Sequence, residues 1–504
     1  MQKKNKRYPP VAGTLFHQLK YRRKLHHYMT ELACKYRTYR MLGFFRYTVY
    51  TADPVNVEYV LKTNVANYGK GYYLHSILYD VLGDGIFSVD GDKWRHQRKA
   101  SSSQFSTKVL RDFSSEIFKT NAVKLASIIH EAATCGKSIE MQVLFLQSTL
   151  DSIVKILLGI DLETMSATNI NEGIRFANAL AYASGSIIYR VGDVFWRIKR
   201  FLNIGTEAAI RKNMKVLDDF IYKLINIKTE KLHKSEEQDE QPLKRRDFIS
   251  KLLEAKETDP KYLRDMVFSF IAAGKDTTTS ALSWFIYMMC KHLDIQEKIA
   301  QEVREATGLN ITSSSAEVAA NLTEEALSKM QYLHAVLYET LRLYPTIPMN
   351  ARVCFSDDTW PDGHSVRKGE MIVNQPYSMG RMKYIWGDDA EEFRPGRWLD
   401  GNGNFKEESP FKFIAFNVTY EEHQANIFLI RLLSYRSSDD IVMMQAGPRI
   451  CLGKDYSYLQ MKIFSAVLLT KYIFKLTDET KVVEYKTMVT LDIKRLHVRA
   501  FPRV

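Results

Sequence analysis

Cys451 lies in the run Gly447-Pro448-Arg449-Ile450-Cys451-Leu452-Gly453, a thiol between two glycines and just downstream of an arginine. That spacing suits a cysteine that ligates a haem iron. Glycines let backbone crowd a flat macrocycle, an arginine can meet a propionate as a charge-assisted pair, and a thiolate pushes electron density onto iron in favour of O–O cleavage. A buried structural cysteine is the commoner fate of a thiol, and the run alone leaves both readings open. Two further constellations bear on the choice. Glu339-Thr340-Leu341-Arg342 sets an acid and a base three residues apart, on one face of a helix, and Phe393-Arg394-Pro395-Gly396-Arg397-Trp398 adds a further arginine. A buried Glu-Arg-Arg network is one outcome, and losing one partner of it costs about 3–5 kcal/mol; a solvated surface pair is the other. Ala273-Gly274-Lys275-Asp276-Thr277-Thr278 interrupts a long apolar pattern from Met266 to Met289 with an acid and alcohols. An unpaired Asp276 there would be costly, whereas an Asp-Thr-Thr run as a helix cap would be unremarked.

In this order, with Cys451 last, the runs resemble the cytochrome P-450 family of haem-thiolate monooxygenases, from about Arg7 to the C-terminus. Trp94-x-x-x-Arg98 resembles the family's helix that holds a haem propionate, Ala273 to Thr278 its oxygen-binding groove, and Glu339, Arg342 and Arg397 its structural triad. Finer matches resemble the plant branch of fatty-acid ω-hydroxylases, within it the long-chain group linked to pollen-wall and cuticle lipids. They are Tyr8 to Thr14, Asn67-Tyr68-Gly69-Lys70, Leu82-Gly83-Asp84-Gly85-Ile86-Phe87 and Met379-Gly380-Arg381-Met382.

The elements that must position these residues read as mainly α with small β-sheets, a helical fold that by resemblance encloses a haem. Helix periodicity runs through Phe105 to Ala132, Met266 to Met289 and Gln331 to Leu343, and β-rich pieces fall near Thr48 to Tyr50 and Ser365 to Val373. The chain has 504 residues and no internal repeat, so one large domain over 1–504 is expected. Lys234 to Arg246 is polar and charged and reads as a surface loop between helices. Five cysteines without paired spacing argue against a disulfide framework and fit a reducing compartment. The net charge of +13 comes with no basic stripe interleaved with aromatics, so nucleic acid is not the expected partner. By resemblance, part of the excess faces an acidic reductase and part, including Lys20-Tyr21-Arg22-Arg23-Lys24, faces anionic lipid. No window approaches the ~20 apolar residues of a membrane span. The resemblance implies the cytosolic face of the endoplasmic reticulum membrane, with the sequence beginning at the proline-rich hinge and the N-terminal anchor absent.

A departure lies beside the thiol. The family pattern F-x-x-G-x-R-x-C-x-G places phenylalanine where this chain has Met444, and a fitting phenylalanine stands upstream in Phe411-Lys412-Phe413-Ile414-Ala415-Phe416-Asn417. Joining Asn417 to Ala446 restores the pattern through Cys451. Every Val codon begins GT and one Gln codon is CAG, so the ends of Val418 to Gln445 permit the borders of a retained intron. A lineage-specific loop is the other reading.

What the resemblance implies chemically is oxygen activation on haem b, with Cys451 as the iron ligand and Trp94, Arg98 and Arg449 holding the cofactor. Electrons come from NADPH through a separate FAD/FMN flavoprotein, NADPH-cytochrome P-450 reductase, since the chain has no convincing G-x-G-x-x-G unit. Asp276 and Thr277 then serve a proton relay, general acid work in a helix groove. The pocket is expected to draw on Phe176 to Ile188, Phe270 to Ala273, Thr346 to Met349 and Thr487 to Leu491. An apolar lining suits an acyl chain, at about 0.8 kcal/mol per buried CH₂, and suits a terpenoid or another apolar lipid equally. Asn350 stands where relatives carry Asp. The expected activity is hydroxylation of a long-chain fatty acid at the ω end. The alternatives are a haem-thiolate peroxide isomerase, against which Asp276-Thr277 argues, and an inactive polypeptide whose insert before Cys451 prevents haem binding.

Overall fold

A computed structural model of the protein describes residues 20–21, 24–43, 46–105, 108–166, 172–191, 193–237, 247–416, 451–480, 483–487 and 489–503. Arg449, Tyr8 to Thr14 and Val418 to Gln445 fall outside these. The principal helices are α1 (Leu25–Tyr36), α2 (Gly71–Leu82), α3 (Gly91–Phe105), α4 (Lys108–Thr134), α5 (Met141–Leu158), α6 (Glu172–Ile187), α7 (Gly205–Glu237), α8 (Pro260–Lys291), α9 (Leu293–Thr307), α10 (Gln331–Leu343) and α11 (Lys454–Lys471). The strands are β1 (Thr38–Gly43), β2 (Arg46–Thr51), β3 (Tyr68–Gly69), β4 (Ile139–Glu140), β5 (Asn350–Cys354), β6 (Asp358–Thr359), β7 (Ser365–Val366), β8 (Met371–Asn374), β9 (Tyr472–Leu476), β10 (Tyr485–Thr487), β11 (Leu491–Ile493) and β12 (His497–Pro502). The expectation of a mainly helical chain with small sheets is borne out.

The chain divides into two compact units. The first, Met1–Gly71, Leu341–Trp398 and Lys406–Cys451, is organised on a sheet of order β1-β2-β8-β5-β3, in which only β2 and β8 run parallel. Its core gathers Met29, Tyr39, Val49, Tyr68, Trp360 and Ile372. Buried residues run consecutively through Arg352-Val353-Cys354 of β5 and Ile372-Val373-Asn374 of β8, as in strands covered on both faces.

The second unit, Tyr72–Thr340, Leu399–Phe405 and Leu452–Val504, is a helical body around α8. Asp259 caps that helix, accepting from the Lys261 and Tyr262 amides, and Pro260 sits at its first turn, where a missing N–H costs nothing. From Leu263 to Ile271 and from Thr278 to Ile286 the helix is buried throughout, as expected of an apolar helix inside a large core. Helix α5 lies against it. A Cβ added to Gly274 would sit 2.9 Å from the Ile153 Cδ1, so this glycine is what lets the two helices approach. Thr149 on α5 completes the seam, its hydroxyl sharing a 2.8 Å hydrogen bond with Thr279 and donating to the Lys275 carbonyl at 3.2 Å.

Among the described residues, α5 is the one helix long and apolar enough to cross a membrane; two thirds of it is buried in the protein, which makes it a core helix. The loop expected from Lys234 begins later than expected, because α7 continues to Glu237; lysine and glutamate are good helix formers and nothing before residue 238 stops the turn. None of the five cysteines forms a disulfide.

Candidate active site

The middle of α8 departs from the burial of its flanks. Ala272, Ala273, Gly274, Asp276 and Thr277 are only half-buried between two fully buried stretches. Thr277 Oγ1 donates to the Ala273 carbonyl at 2.5 Å, which commits its proton to the helix and leaves the oxygen lone pairs as an acceptor for an incoming donor. Asp276 is paired by its neighbour: Lys275 Nζ lies 2.5 Å from Asp276 Oδ1, and Lys275 is 2 % exposed. The sequence singled out the acid and the alcohol together, and α8 brings them side by side in this notch. Gly274 belongs to the α5 seam.

Trp94 and Arg98 stand one turn apart on α3, on one face. Trp94 is buried with Ile86 and Val89, and Leu452, the residue after Cys451, packs on that cluster. Arg98 is half-buried. The turn Leu82 to Phe87 is anchored to α8: the Asp84 amide donates to Asp265 Oδ2 at 2.9 Å, Lys261 binds both Asp84 and Asp265, and Gly83 at φ +53 lies where a side chain would strike the Asp265 carboxylate. Against the opposing effect of its own partial burial, the hydrogen bonds from His75 and then Lys261 hold the Asp84 carboxyl below the usual range. A motif that suggested a subgroup thus has a structural role.

Cys451 is exposed, and its amide donates to the Phe416 carbonyl at 3.2 Å. Two residues on, Gly453 is the N-cap of α11, and a helix N-terminus favours a nearby anion. Helix α11 meets α8 where the Thr278 and Ser457 hydroxyls lie 3.4 Å apart. Three of the other cysteines suit ligation less: burial pushes the Cys290 thiol up to about 12 and raises those of Cys354 and Cys34. Within the second unit, an indole and a guanidinium on one face of α3 and a half-buried polar notch in α8 are residue types that fit a haem, and the exposed Cys451 thiol of the first unit is of the type that ligates its iron. Arg449 lies outside the described residues.

The two arginines of the expected triad both serve one loop. Arg342 donates to the carbonyls of Gly380, Ala390 (2.5 Å) and Glu392 (2.8 Å), and Arg397 donates to the Asp389 carbonyl at 3.1 Å and pairs with its carboxylate at 3.3 Å. Glu339, three residues before Arg342 on α10, is fully buried. The expected pocket segments are partly spent on packing: Phe176 lies 4.7 Å from the Phe220 ring of α7, and Phe270 packs on Phe248.

One residue near the acid had no role in the sequence reading. Asp492 on β11 has its carboxyl pushed up to about 6, by burial first and then by the charge of Asp276. An acid in an apolar alternation, Leu491-Asp492-Ile493, was the available signal.

The cytochrome P450 family model matches residues 7–418. Cytochrome P450 704C1 of Pinus taeda is 45 % identical over 515 aligned positions, covering 99 % of this chain and 93 % of the relative. Cytochrome P450 704B1 of Arabidopsis thaliana is 38 % identical, over 96 % and 92 % of the two chains, and cytochrome P450 94A1 of Vicia sativa 32 %, over 84 % and 75 %. With the motifs in order, the helical fold that carries them and matches along nearly the whole length, the chain belongs to the cytochrome P450 family of haem-dependent monooxygenases.

Proposed function

We propose that the protein hydroxylates a long-chain fatty acid at or near its ω end, with Cys451 as the haem ligand, Trp94, Arg98 and Arg449 holding the cofactor, and Asp276 and Thr277 delivering protons. The observation that carries the proton-delivery part is the half-buried Asp276-Thr277 notch in an otherwise buried helix. The fatty-acid part is supported by the runs Asn67 to Lys70, Leu82 to Phe87 and Met379 to Met382. Bound haem supplies oxygen activation for insertion into an unactivated C–H bond. The chain supplies the rest. Thr277 accepts a hydrogen bond on its oxygen while its own proton rests on Ala273, and Asp276 exchanges protons beside it. Electrons arrive from NADPH through a separate flavoprotein reductase.

The membrane surface as a partner is supported by the segment between α6 and α7, where Tyr189, Phe195, Ile198 and Phe201 are exposed, Phe201 at 87 %, next to Lys199 and Arg200. Apolar groups beside basic ones suit the headgroup boundary of a bilayer. The endoplasmic reticulum is the corresponding location.

The reading treats Val418 to Gln445 as an insert within a single P450 domain. The family match ends at residue 418, and the Phe416 carbonyl accepts from the Cys451 amide, so the chain leaves and returns at one point.

The test is incubation of the protein lacking 418–445 with reductase, NADPH and saturated C16 and C18 fatty acids, with products resolved by mass spectrometry. Terminal hydroxy acids are expected; products only from terpenoids or other lipids would overturn the substrate assignment. Thr277→Ala is expected to retain haem and substrate binding while product per NADPH falls several-fold, and an unchanged ratio would remove Thr277 from proton delivery.

A further inference from the structure

Asp276, Ser280 and Trp284 recur every four residues on α8 and so share one face. Strand β11 lies along that face. Ser280 Oγ donates to the Leu491 carbonyl at 2.7 Å and Trp284 Nε1 to the same oxygen at 2.6 Å. Two donors on one carbonyl fix the strand against the helix, with Asp492 next in the chain and Asp276 one turn before Ser280. The cluster has a third member, Lys275, 2 % exposed and ion-paired to Asp276. A fourth, the exposed Lys486, stands opposite Asp492 across the β10–β11 hairpin.

The charges do not balance inside the cluster. Two carboxylates face one buried ammonium, and like charges in a shared site cannot both ionise freely. The consequence is seen at Asp492, which holds its proton to about pH 6. Burial and Asp276 raise its affinity for the proton, while Thr490, Lys275 and Lys486 act in the opposite direction.

We propose that Asp492 is a positioning residue of the proton relay, the group that recharges Asp276 after Asp276 passes a proton toward Thr277. The step moves one proton: the Asp492 O–H bond breaks as an O–H bond forms on the Asp276 carboxylate, and Asp492 takes a replacement from solvent at the hairpin edge beside Lys486. Lys275, ion-paired to Asp276, holds the carboxylate in place. The proposal rests on the reading that Asp276 and Thr277 deliver protons.

The experiment compares the wild-type holoprotein with Asp492→Asn, Asp492→Glu, Asp276→Asn and Thr277→Ala. A readout without turnover comes first. The folded-state pKa of Asp492 lies above the ordinary 3.8, so the folded protein binds the extra proton, and its contribution to stability is present at low pH and lost as pH rises through about 6. The melting temperature of Asp492→Asn relative to wild type is therefore expected to rise between pH 4 and 6 and level off above 7, and in the Asp276→Asn background that change is expected to shrink. A flat difference in both backgrounds would overturn the cluster. Product per NADPH is then read against pH. Asp492→Asn is expected to lower it several-fold with unchanged KM and to flatten its pH dependence, and Asp492→Glu to restore both. A normal ratio and normal pH profile in Asp492→Asn, with Thr277→Ala uncoupled, would overturn the role of Asp492 alone; a normal ratio in Thr277→Ala would instead overturn the relay reading beneath it.

Discussion

At the scale of single residues, α8 shows how neighbours in sequence divide into different tasks. Gly274 faces α5, Asp276 lies one turn before Ser280, which binds β11, and Thr277 turns its hydroxyl back onto the helix. The glycine makes a direct prediction. In Gly274→Ala the new methyl meets Ile153 Cδ1 and Cγ1 at 2.9 and 3.0 Å, with the residue held in mid-helix and unable to rotate away. Overpacking of this kind costs about 1–3 kcal/mol. Urea denaturation is expected to show that loss for Gly274→Ala and a partial recovery when Ile153→Val removes the crowding carbon. The motif Ala273 to Thr278 was legible as a unit because an acid among apolar residues is conspicuous. The separate facings were not, since they depend on partners more than a hundred positions away.

At the scale of elements, helix bounds were read well where the apolar period was long: Gln331 to Leu343 is α10 as expected, and Met266 to Met289 lies inside α8. The start of α8 was missed, although Asp259-Pro260 is a cap followed by a first-turn proline. The β10–β11 hairpin was invisible as a helix partner, because Trp284 and Leu491 are 207 residues apart. A network that ties α2 to the start of α7 was equally hidden. Arg190, 3 % exposed, donates from Nε and a terminal nitrogen to both oxygens of Glu207 at 2.9 and 2.6 Å, to the Ile77 carbonyl at 2.9 Å and to Asp80 at 2.5 Å. Arg190→Ala would strand a buried Glu207, and a loss of about 3–5 kcal/mol is expected in equilibrium unfolding. Arg190→Ala combined with Glu207→Ala should lose clearly less than the two single losses summed.

At the scale of the whole molecule, length, cysteine spacing and motif order were enough to name the family, because a thiol run, an E-x-x-R and an acid-alcohol pair in one order seldom coincide. Substrate class was far less legible, since an apolar lining discriminates poorly among apolar ligands. The insert is a question at this scale. Removing 418–445 is expected to leave the helical content and melting temperature unchanged or raised, because Phe416 and Cys451 already meet. Circular dichroism of the two forms checks this, and a collapse of helicity on deletion would make the segment part of the fold.

The most direct measurement is the reduced carbon monoxide difference spectrum of the form lacking 418–445, beside its Cys451→Ala and Cys354→Ala variants. The account predicts a red-shifted Soret band of thiolate ligation in the parent and in Cys354→Ala, and its complete loss in Cys451→Ala. A red-shifted band that survives in Cys451→Ala would contradict it.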